Sequence, residues 1–316
     1  MATAIAHPNI ALVKYWGKRD RELNLPSTSS ISLTLDKFQT RTRVDLGVEM
    51  DLLVINGRTV TGGEAFRVFE HLDLILPGRR PAQVVSESNF PAAAGLASSS
   101  SAFSALTVAA MAEGGHELTP EELSVLARRG SGSACRSIWG GWVEWRRGSE
   151  PDGNDSHGVH LAPPEHWDVR MVVAVVHGGR KKVGSTEGML RTMATSPMYA
   201  AWVASYERDL SQARQGVLDK DLGALGAAME RSTLKMHATM MTSDPPIRYW
   251  RGASVALMDA IEGLRSKGVG AWWTMDAGPN MKVLCEAHDA GRVAHTLGTF
   301  VQQVEILAPG GPPRLV

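Results

Sequence analysis

The first chemical signal in the chain is a run of small residues and serines between Asn89 and Ala102. Small side chains let the backbone approach a ligand closely, and Phe103, Leu106 and Ala110 place an apolar helix face directly after the run. The pattern predicts a helix N-terminus, whose N–H groups and positive dipole end attract phosphate. The alternative is a small-residue helix packed in a core, but four consecutive serines would then need hydrogen-bond partners.

A second group, near the N-terminus, combines two lysines with a tyrosine. Lys14 and Lys18 are four residues apart, and Tyr15 and Lys18 are three apart. Two ammonium groups and a phenol near one point suit a terminal phosphate or diphosphate. A solvated basic patch is the alternative interpretation.

The segment 130–137 places an arginine among glycines and serines. The planar guanidinium of Arg136 matches a carboxylate through two parallel hydrogen bonds, and the small neighbours permit close approach of a ligand. A structural ion pair would explain the same arginine. Cys135 is interpreted as a small packed residue, because no activating partner is evident in the sequence.

An acidic residue, Asp276, precedes the turn Ala277-Gly-Pro-Asn280 between two predicted strands. An acid on a tight turn can be held rigidly and directed into a cleft. On its own, the same residue would be interpreted as an Asx-type turn.

These motifs resemble a known superfamily. The pattern Pro91-x-x-x-Gly95-Leu-x-Ser98-Ser99 is similar to the phosphate-binding motif of the GHMP kinases, which include galactokinase, homoserine kinase and mevalonate kinase. Residues 6–20 and 23–34 resemble one branch, the diphosphomevalonate decarboxylase family. Residues 130–137, 181–189 and 274–280 follow in family order, although Gly184 stands where many members have a second serine.

The resemblance implies roles for particular residues. ATP would be bound by Pro91, Ala94, Gly95, Leu96, Ala97, Ser98, Ser99, Ser100 and Ser101, with Ser98 and Ser99 also near Mg²⁺. The catalytic residues implied are Asp276, Arg136, Lys14, Ser185 and Asn9. The residues implied for binding phosphorylated mevalonate are Tyr15, Lys18, Ser131, Gly132, Ser133, Arg136, Ser185 and Thr186. The 181–189 segment is expected as a loop that closes on the ligands, and His237 is expected in a core or interface.

The reaction implied is 3-phosphorylation of mevalonate 5-diphosphate by ATP, followed by loss of CO₂ and phosphate to give isopentenyl diphosphate. Phosphorylation converts an unactivated tertiary hydroxyl into a leaving group, whose departure leaves positive charge at C3. The electrons of the bond that releases CO₂ neutralise this charge as the double bond forms. Three alternatives stay open: mevalonate 5-phosphate as the substrate, a 3-kinase that does not decarboxylate, and a catalytically silent binding protein on the same scaffold.

The elements that position these residues are strands and helices interspersed along the chain without a regular βαβ alternation. This pattern predicts an α+β fold. A hairpin is expected at 51–60, where Asn56-Gly57 suits a tight turn. Further strands are expected at 84–88, 171–176, 270–275, 282–285 and 304–307, and helices from Thr119, over 197–241 with a break near 216–219, at 254–267 and at 289–300.

The domain boundary is predicted at Pro163–Trp167, dividing the chain into residues 1–168 and 169–316. The resemblance implies the two-domain GHMP architecture. Its N-terminal domain is like ribosomal protein S5 domain 2, its C-terminal domain is ferredoxin-like, and the active site lies in the cleft between them.

Composition limits the partners. The 316 residues carry 33 basic and 33 acidic side chains, which gives no reason to expect nucleic acid or an anionic membrane surface as a partner. No apolar run approaches the ~20 residues of a membrane span. Two cysteines do not form a secreted disulfide framework, so a cytoplasmic protein is expected. The resemblance also implies a homodimer.

Overall fold

The computed structural model describes residues 1–90, 98–177 and 182–316. The strands are β1 Ala2–Ala6, β2 Asn9–Val13, β3 Lys18–Asp20, β4 Leu25–Pro26, β5 Ser30–Thr34, β6 Thr40–Leu46, β7 Leu52–Ile55, β8 Arg58–Val60, β9 Ala82–Ser88, β10 Trp142–Trp145, β11 Gly158–Ala162, β12 Val169–Val175, β13 Ala271–Met275, β14 Met281–Glu286, β15 Gln303–Leu307 and β16 Arg314–Leu315. The helices are α1 Gly63–Ile75, α2 Ser98–Glu113, α3 Pro120–Gly130, α4 Ser185–Thr195, α5 Tyr199–Asp219, α6 Leu222–Met241, α7 Gly252–Arg265 and α8 Ala290–Gly298.

The N-terminal lobe contains two sheets. One has six strands in the order β16-β1-β6-β9-β7-β8, and the other has four in the order β11-β10-β5-β2. The predicted hairpin is confirmed as β7 and β8, joined at Asn56 and Gly57 with φ angles of 48° and 75°. Both residues adopt the left-handed conformation that a two-residue hairpin turn requires.

Helices α1, α2 and α3 cover the six-stranded sheet. Helix α2 is buried on nearly every side, because its small residues allow close packing against β1 and β6. The predicted capping box at Thr119 is confirmed: its hydroxyl accepts from the Glu122 amide, and the Glu122 carboxylate accepts from the Thr119 amide. These two bonds satisfy N–H groups that α3 cannot pair internally. The start of α3 is therefore fixed by its own sequence.

The C-terminal lobe is built on one sheet with the order β13-β14-β12-β15. Alternate residues of β12 face opposite sides, as the period of a strand requires. Met171 and Val173 pack in the core with α5 and α6, while Val172 and Ala174 pack with α7 and α8. The predicted apolar strand is thus confirmed as a strand covered on both faces.

The predicted helical stretch over 197–241 is confirmed as two helices, α5 and α6. The break predicted near 216–219 is found immediately after those residues, which form the last turn of α5. The chain turns at Lys220, whose φ is 58°, and Asp221 then caps α6 by accepting from the Ala224 amide. A left-handed residue followed by an acidic cap ends one helix and starts the next.

The two lobes share a hydrophobic core. Helices α5 and α6 lie between β2 and β5 on one side and the C-terminal sheet on the other. The chain also crosses back, because β16 pairs with β1 through Ala4 and Leu315. The division at 168/169 stays a prediction, and the last strand of the second segment lies in the first lobe's sheet. None of the described helices is long and apolar enough to cross a membrane.

One buried histidine makes the stability of this fold depend on pH. The Thr107 hydroxyl donates to the Phe103 carbonyl and therefore accepts from His71 Nε2, 2.9 Å away. His71 is 4% exposed, and burial, with smaller contributions from Arg129 and Arg67, lowers its pKa to about 3. The unfolded chain takes up a proton here below about pH 6.5, whereas the folded chain takes it up only near pH 3. Stability from His71 is therefore present above pH 6.5 and is lost as the pH falls.

We expect the free energy of unfolding to fall with acidification by up to about 1.4 kcal/mol per pH unit from this histidine, below about pH 6.5. His71→Gln should show a shallower slope in urea titrations between about pH 7 and about pH 5. His116→Gln is the control, because His116 is exposed and meets water in both states. Equal slopes in the wild type and His71→Gln would contradict the assignment.

Candidate active site

The centre of the candidate site is an aspartate between two lysines. Lys14 Nζ lies 2.7 Å from Asp276 Oδ1, and Lys282 Nζ lies 3.0 Å from Asp276 Oδ2. Both lysine side chains are 1% exposed, whereas that of Asp276 is 27% exposed. The carboxylate is thus the part of the cluster that a ligand reaches. Lys282 was not predicted from the sequence, although its place six residues after Asp276 on the returning strand was a signal.

The charges in this cluster set its protonation. Burial acts to raise the pKa of Asp276, but the charges and hydrogen bonds of Lys14 and Lys282 outweigh it and hold this pKa well below its usual range. Burial lowers the pKa of Lys14 to about 8, with Asp276 acting in the opposite direction. Asp276 is therefore an anion at neutral pH and a weak base. It is suited to accepting a hydrogen bond from a substrate hydroxyl.

Both lobes position Lys14. Its ammonium donates to the Ala11 carbonyl at 2.8 Å, and its backbone N–H donates to Ser232 Oγ of α6 at 2.9 Å. His237, one turn further along α6, is 1% exposed and lies 3.4 Å from the Met275 carbonyl. Burial, aided by the charge of Lys14, lowers its pKa to about 3. The expectation of a core histidine is confirmed, and His237 supports the strand that leads to Asp276.

Arg136 enters the site from the 3₁₀ helix Gly132–Ile138 and is 2% exposed. Its Nε donates to Asn9 Oδ1 at 3.1 Å and its Nη1 to Ser30 Oγ at 2.8 Å. Asn9 is oriented in turn, because its Nδ2 donates to the Ser133 carbonyl at 2.9 Å and to Ser137 Oγ at 2.8 Å.

The partners of this guanidinium decide between its two interpretations. Within the described part of the chain, its side-chain hydrogen bonds go to neutral groups, so Arg136 is not in a simple structural ion pair. Burial lowers the pKa of Arg136, and the negative charge of Asp276 acts against that shift. Arg136 also contributes to lowering the pKa of Lys14. Arg136, Asp276 and Lys14 therefore act in one electrostatic site.

The serine run divides into two pairs. Ser100 and Ser101 are buried and hold the start of α2, since Ser100 Oγ accepts from the Asn9 amide at 3.4 Å and Ser101 Oγ lies 2.7 Å from Thr40 Oγ1. Ser98 is partly exposed and Ser99 is exposed. Of the four hydroxyls, those of Ser98 and Ser99 are thus the ones placed to meet a ligand. The other predicted phosphate-binding residues, Pro91, Ala94, Gly95, Leu96 and Ala97, lie outside the described residues.

The glycine-serine motif lies beside the start of α2. Ser131 Oγ donates to Ser99 Oγ at 3.3 Å and lies 3.5 Å from Ser133 Oγ. A Cβ on Gly132 would lie 2.9 Å from the Tyr15 hydroxyl and from the Trp145 ring, so only glycine lets these rings approach. Tyr15 packs on Trp145 with ring centroids 4.6 Å apart, and burial raises the pKa of its hydroxyl.

The structure separates the two lysines that the sequence grouped. Lys14 contacts Asp276, whereas Lys18 is partly exposed and lies near two arginines. Burial lowers the pKa of Lys18, and the charges of Arg67 and Arg21 lower it further. Arg67 of α1 also donates to the Gly130 carbonyl at 3.5 Å, which places a further cation beside the glycine-serine motif. This arginine was missed, because nothing in the sequence of α1 indicates which motif it meets.

Arg21 and Arg67 border a surface cavity of about 260 Å³. It is lined by Arg21, Glu22, Arg67, Glu70, His71, Leu74, Arg129 and Gly130. Its three arginines outnumber its two glutamates, so the lining carries a net positive charge that is compatible with an anionic group.

The segment predicted as a closing loop is a helix from Ser185 onward, so this prediction is wrong there. Ser185 begins α4 and is partly buried, and Thr186 is exposed. A Cβ on Gly188 would lie 3.1 Å from the Trp16 ring, so α4 packs closely against Trp16, which is two residues after Lys14. Apolar burial of this face outweighs the small-residue, loop-like composition. Lys181 lies outside the described residues.

The donors present suit Mg²⁺ and ATP phosphates. Among the described residues there is no group of three or more His, Cys, Asp or Glu side chains that could hold a metal ion. Ser98 and Ser99 offer exposed or partly exposed hydroxyl oxygens at a helix N-terminus. Mg²⁺ prefers oxygen donors and is commonly bound together with substrate phosphates, so these serines fit a metal that arrives with the nucleotide.

Known proteins of one family match this sequence over nearly the whole chain. A family model for the diphosphomevalonate decarboxylase-like N-terminal domain matches residues 6–158. A model for the mevalonate 5-diphosphate decarboxylase C-terminal domain matches residues 171–308. The diphosphomevalonate decarboxylase of Gibberella zeae is 38% identical over 96% of this chain and 85% of its own length.

Solved structures agree with the sequence matches. Mevalonate diphosphate decarboxylase from Staphylococcus aureus superposes with a TM-score of 0.95 and 37% identity, over 100% of this chain and 97% of that one. A complex described as MDDEF with MVAPP, AMPPCP and magnesium gives a TM-score of 0.93 and 38% identity, over 100% and 98% of the two chains.

These likenesses confirm the predicted α+β, two-domain GHMP fold. The two family models together cover most of the chain, and the alignment with the Gibberella zeae enzyme extends across both lobes. The chain belongs to the diphosphomevalonate decarboxylase family.

Proposed function

We propose that this enzyme decarboxylates mevalonate 5-diphosphate to isopentenyl diphosphate with ATP, releasing ADP, phosphate and CO₂. The observation that carries the proposal is the cluster of Lys14, Asp276 and Lys282, which shares one electrostatic site with Arg136. The start of α2 is tied to the same site, because Ser100 accepts from the backbone of Asn9 and Asn9 holds Arg136. The solved neighbour bound to MVAPP, AMPPCP and magnesium supports the same ligands here.

In the first half of the reaction, the 3-hydroxyl oxygen bonds to the γ-phosphorus of ATP, the bond from that phosphorus to the bridging β–γ oxygen breaks, and ADP leaves. The hydroxyl proton passes to an oxygen of the transferred phosphoryl group and from there to water. Asp276 accepts a hydrogen bond from that hydroxyl and aims its oxygen. The N–H groups at the start of α2 and the serines Ser98 and Ser99 would receive the nucleotide phosphates. Magnesium bound there would supply positive charge to the transferring phosphoryl group. Lys14 contributes a further positive charge beside the hydroxyl.

In the second half, the C3–O bond breaks and inorganic phosphate leaves. The C1–C2 bond also breaks, its electrons form the C2=C3 double bond, and C1 departs as CO₂. Arg136 holds the carboxylate so that the breaking C–C bond is aligned with the leaving group. Asn9 and Ser30 fix the guanidinium, so little reorganisation is needed during the reaction.

The charges around Lys18 favour a 5-diphosphate over a 5-monophosphate. Arg67 donates to the Gly130 carbonyl next to Ser131, and the charges of Arg67 and Arg21 both lower the pKa of Lys18. A diphosphate carries more negative charge and more acceptor oxygens to meet three cations. The relatives and solved neighbours named above also carry the diphosphate in their names.

We further propose a homodimer in the cytoplasm. Family resemblance supports the dimer, and exposed apolar side chains such as Phe66 and Phe300 offer surface for it. Two buried free cysteines agree with a reducing compartment.

Parallel incubations with ATP and each mevalonate phosphate test the activity. We expect ADP and CO₂ in equal amounts with the 5-diphosphate, and a lower kcat/KM with the 5-phosphate because fewer charges meet Lys18, Arg67 and Arg21. Coupled ADP assays and trapping of labelled CO₂ give the two readouts. ADP without CO₂ would identify a 3-kinase, and neither product from either substrate would refute enzymatic activity.

Asp276→Asn should keep nucleotide binding and lose nearly all turnover, with kcat falling about 10³-fold. The amide retains the shape but not the charge that Lys14 and Lys282 require. Calorimetry of nucleotide binding and a thermal melt separate this loss from misfolding. Turnover close to the wild type would rule out the role given to Asp276.

Arg136→Lys should lower kcat/KM about 10²-fold, because an ammonium cannot make two parallel hydrogen bonds to one carboxylate. Arg231→Lys is the matched control, since Arg231 pairs with Asp209 at 3.0 Å between α5 and α6. The control should stay within about twofold of the wild type. An Arg136→Lys enzyme as active as the control would refute carboxylate binding by Arg136.

A further inference from the structure

We propose that Lys282 is a positioning residue that fixes the orientation of the Asp276 carboxylate, so that Asp276 directs the substrate 3-hydroxyl and does not act as its base. This inference rests on the proposed function for the identity of that hydroxyl. The pairing of Lys282 with Asp276 is independent of it.

The first argument is that each oxygen of the Asp276 carboxylate accepts from a different lysine. Lys14 approaches Oδ1 at 2.7 Å and Lys282 approaches Oδ2 at 3.0 Å. A carboxylate held through one oxygen can still rotate about its Cβ–Cγ bond. A second donor on the other oxygen fixes the plane of the group, and with it the direction of the remaining lone pairs.

The second argument is where the two lysines are attached. Lys14 follows β2 of the N-terminal lobe, and its bond to Asp276 crosses between lobes. Lys282 lies on β14, opposite Thr274 of β13, so it belongs to the same hairpin as Asp276. The Lys282 bond therefore keeps Asp276 oriented even if substrate entry changes the distance between the lobes.

The third argument is charge. Lys14, Lys282 and Arg136 together bring three positive charges to one carboxylate, and all three side chains are at most 2% exposed. Burying more cations than anions is costly unless an anion joins them. The substrate carboxylate and the transferring phosphoryl group are the anions that this site receives. Lys282 thus holds Asp276 as an anion and adds to the positive field around both groups.

Lys282→Met tests the proposal, because methionine keeps much of the length and removes the charge. We expect kcat to fall about 10²-fold while KM for both substrates changes less than about threefold. The kcat–pH profile should gain an acid limb, since Asp276 without its second cation takes up a proton at higher pH. Lys282→Arg should recover part of kcat, because it restores a cation.

Lys235→Met is the matched control. Lys235 and Arg231 also share one aspartate, Asp209, at 2.8 and 3.0 Å. This cluster joins α5 to α6 and has no part in the proposed reaction. The control should change the melting temperature without altering kcat or its pH profile.

A readout that does not need activity separates this inference from the proposed function. The carboxyl ¹³C signal of Asp276, assigned by its absence in Asp276→Asn, should titrate at higher pH in Lys282→Met than in the wild type. Lys282→Gln gives the same comparison if the methionine variant does not fold. An unchanged titration, or a loss confined to KM, would overturn the role of Lys282. A wild-type enzyme that turns over no mevalonate phosphate would refute the function alone.

Discussion

The carboxylate of Asp276 connects the two lobes through charge. Lys14 reaches it from the end of β2 and Lys282 from β14, so both sheets must be in place before the site exists. Each ammonium is desolvated, and the attraction of this carboxylate, with the Ala11 carbonyl that accepts from Lys14, offsets part of the lost hydration. The site is therefore balanced for a reaction in which further negative charge arrives, on a carboxylate and on phosphate oxygens.

The shared core explains how this charge cluster is kept in register. Helices α5 and α6 are packed against both the four-stranded sheet and the C-terminal sheet, so the lobes cannot slide without opening apolar surface. Trp202 of α5 donates to the carbonyl of Trp16, and Ser232 of α6 accepts from the amide of Lys14. The helices that join the lobes are thus also the ones that hold the backbone around Lys14. The packing of the lobes and the geometry of the candidate site therefore depend on the same contacts.

Local signals in the sequence were sufficient for most elements. The turn at Asn56-Gly57, the capping box at Thr119 and the apolar period of β12 each act within a few residues, and all three predictions are confirmed. The serine run could be selected as a possible phosphate site because consecutive buried hydroxyls would need partners, whereas Asp276 alone would have been interpreted as a turn residue. Family resemblance then supplied the reaction in which roles are proposed for these residues, and the residues alone left that reaction open.

Contacts between segments that are distant in the sequence could not be predicted from such local signals. The sequence places Lys282 on the strand that returns after Asp276, but its contact with Asp276 depends on the β13–β14 register, which no local pattern specifies. Arg67 lies on α1, about fifty residues from Lys18, and only packing of that helix beside the glycine-serine motif brings it near. Helix α4 was missed because its burial against Trp16 outweighs its local composition.

The serine run illustrates why residue type alone does not assign a role. Ser98 to Ser101 are chemically identical, but helix geometry turns successive side chains by about 100°, so neighbours face different surroundings. Two of them face the protein, where Thr40 and the backbone of Asn9 use their hydroxyls, and two face outward. The buried pair anchors the first described turn of α2 to β6 and to the backbone of Asn9. This anchoring leaves Ser98 partly exposed and Ser99 exposed, so the structural role of Ser100 and Ser101 supports the binding role proposed for Ser98 and Ser99.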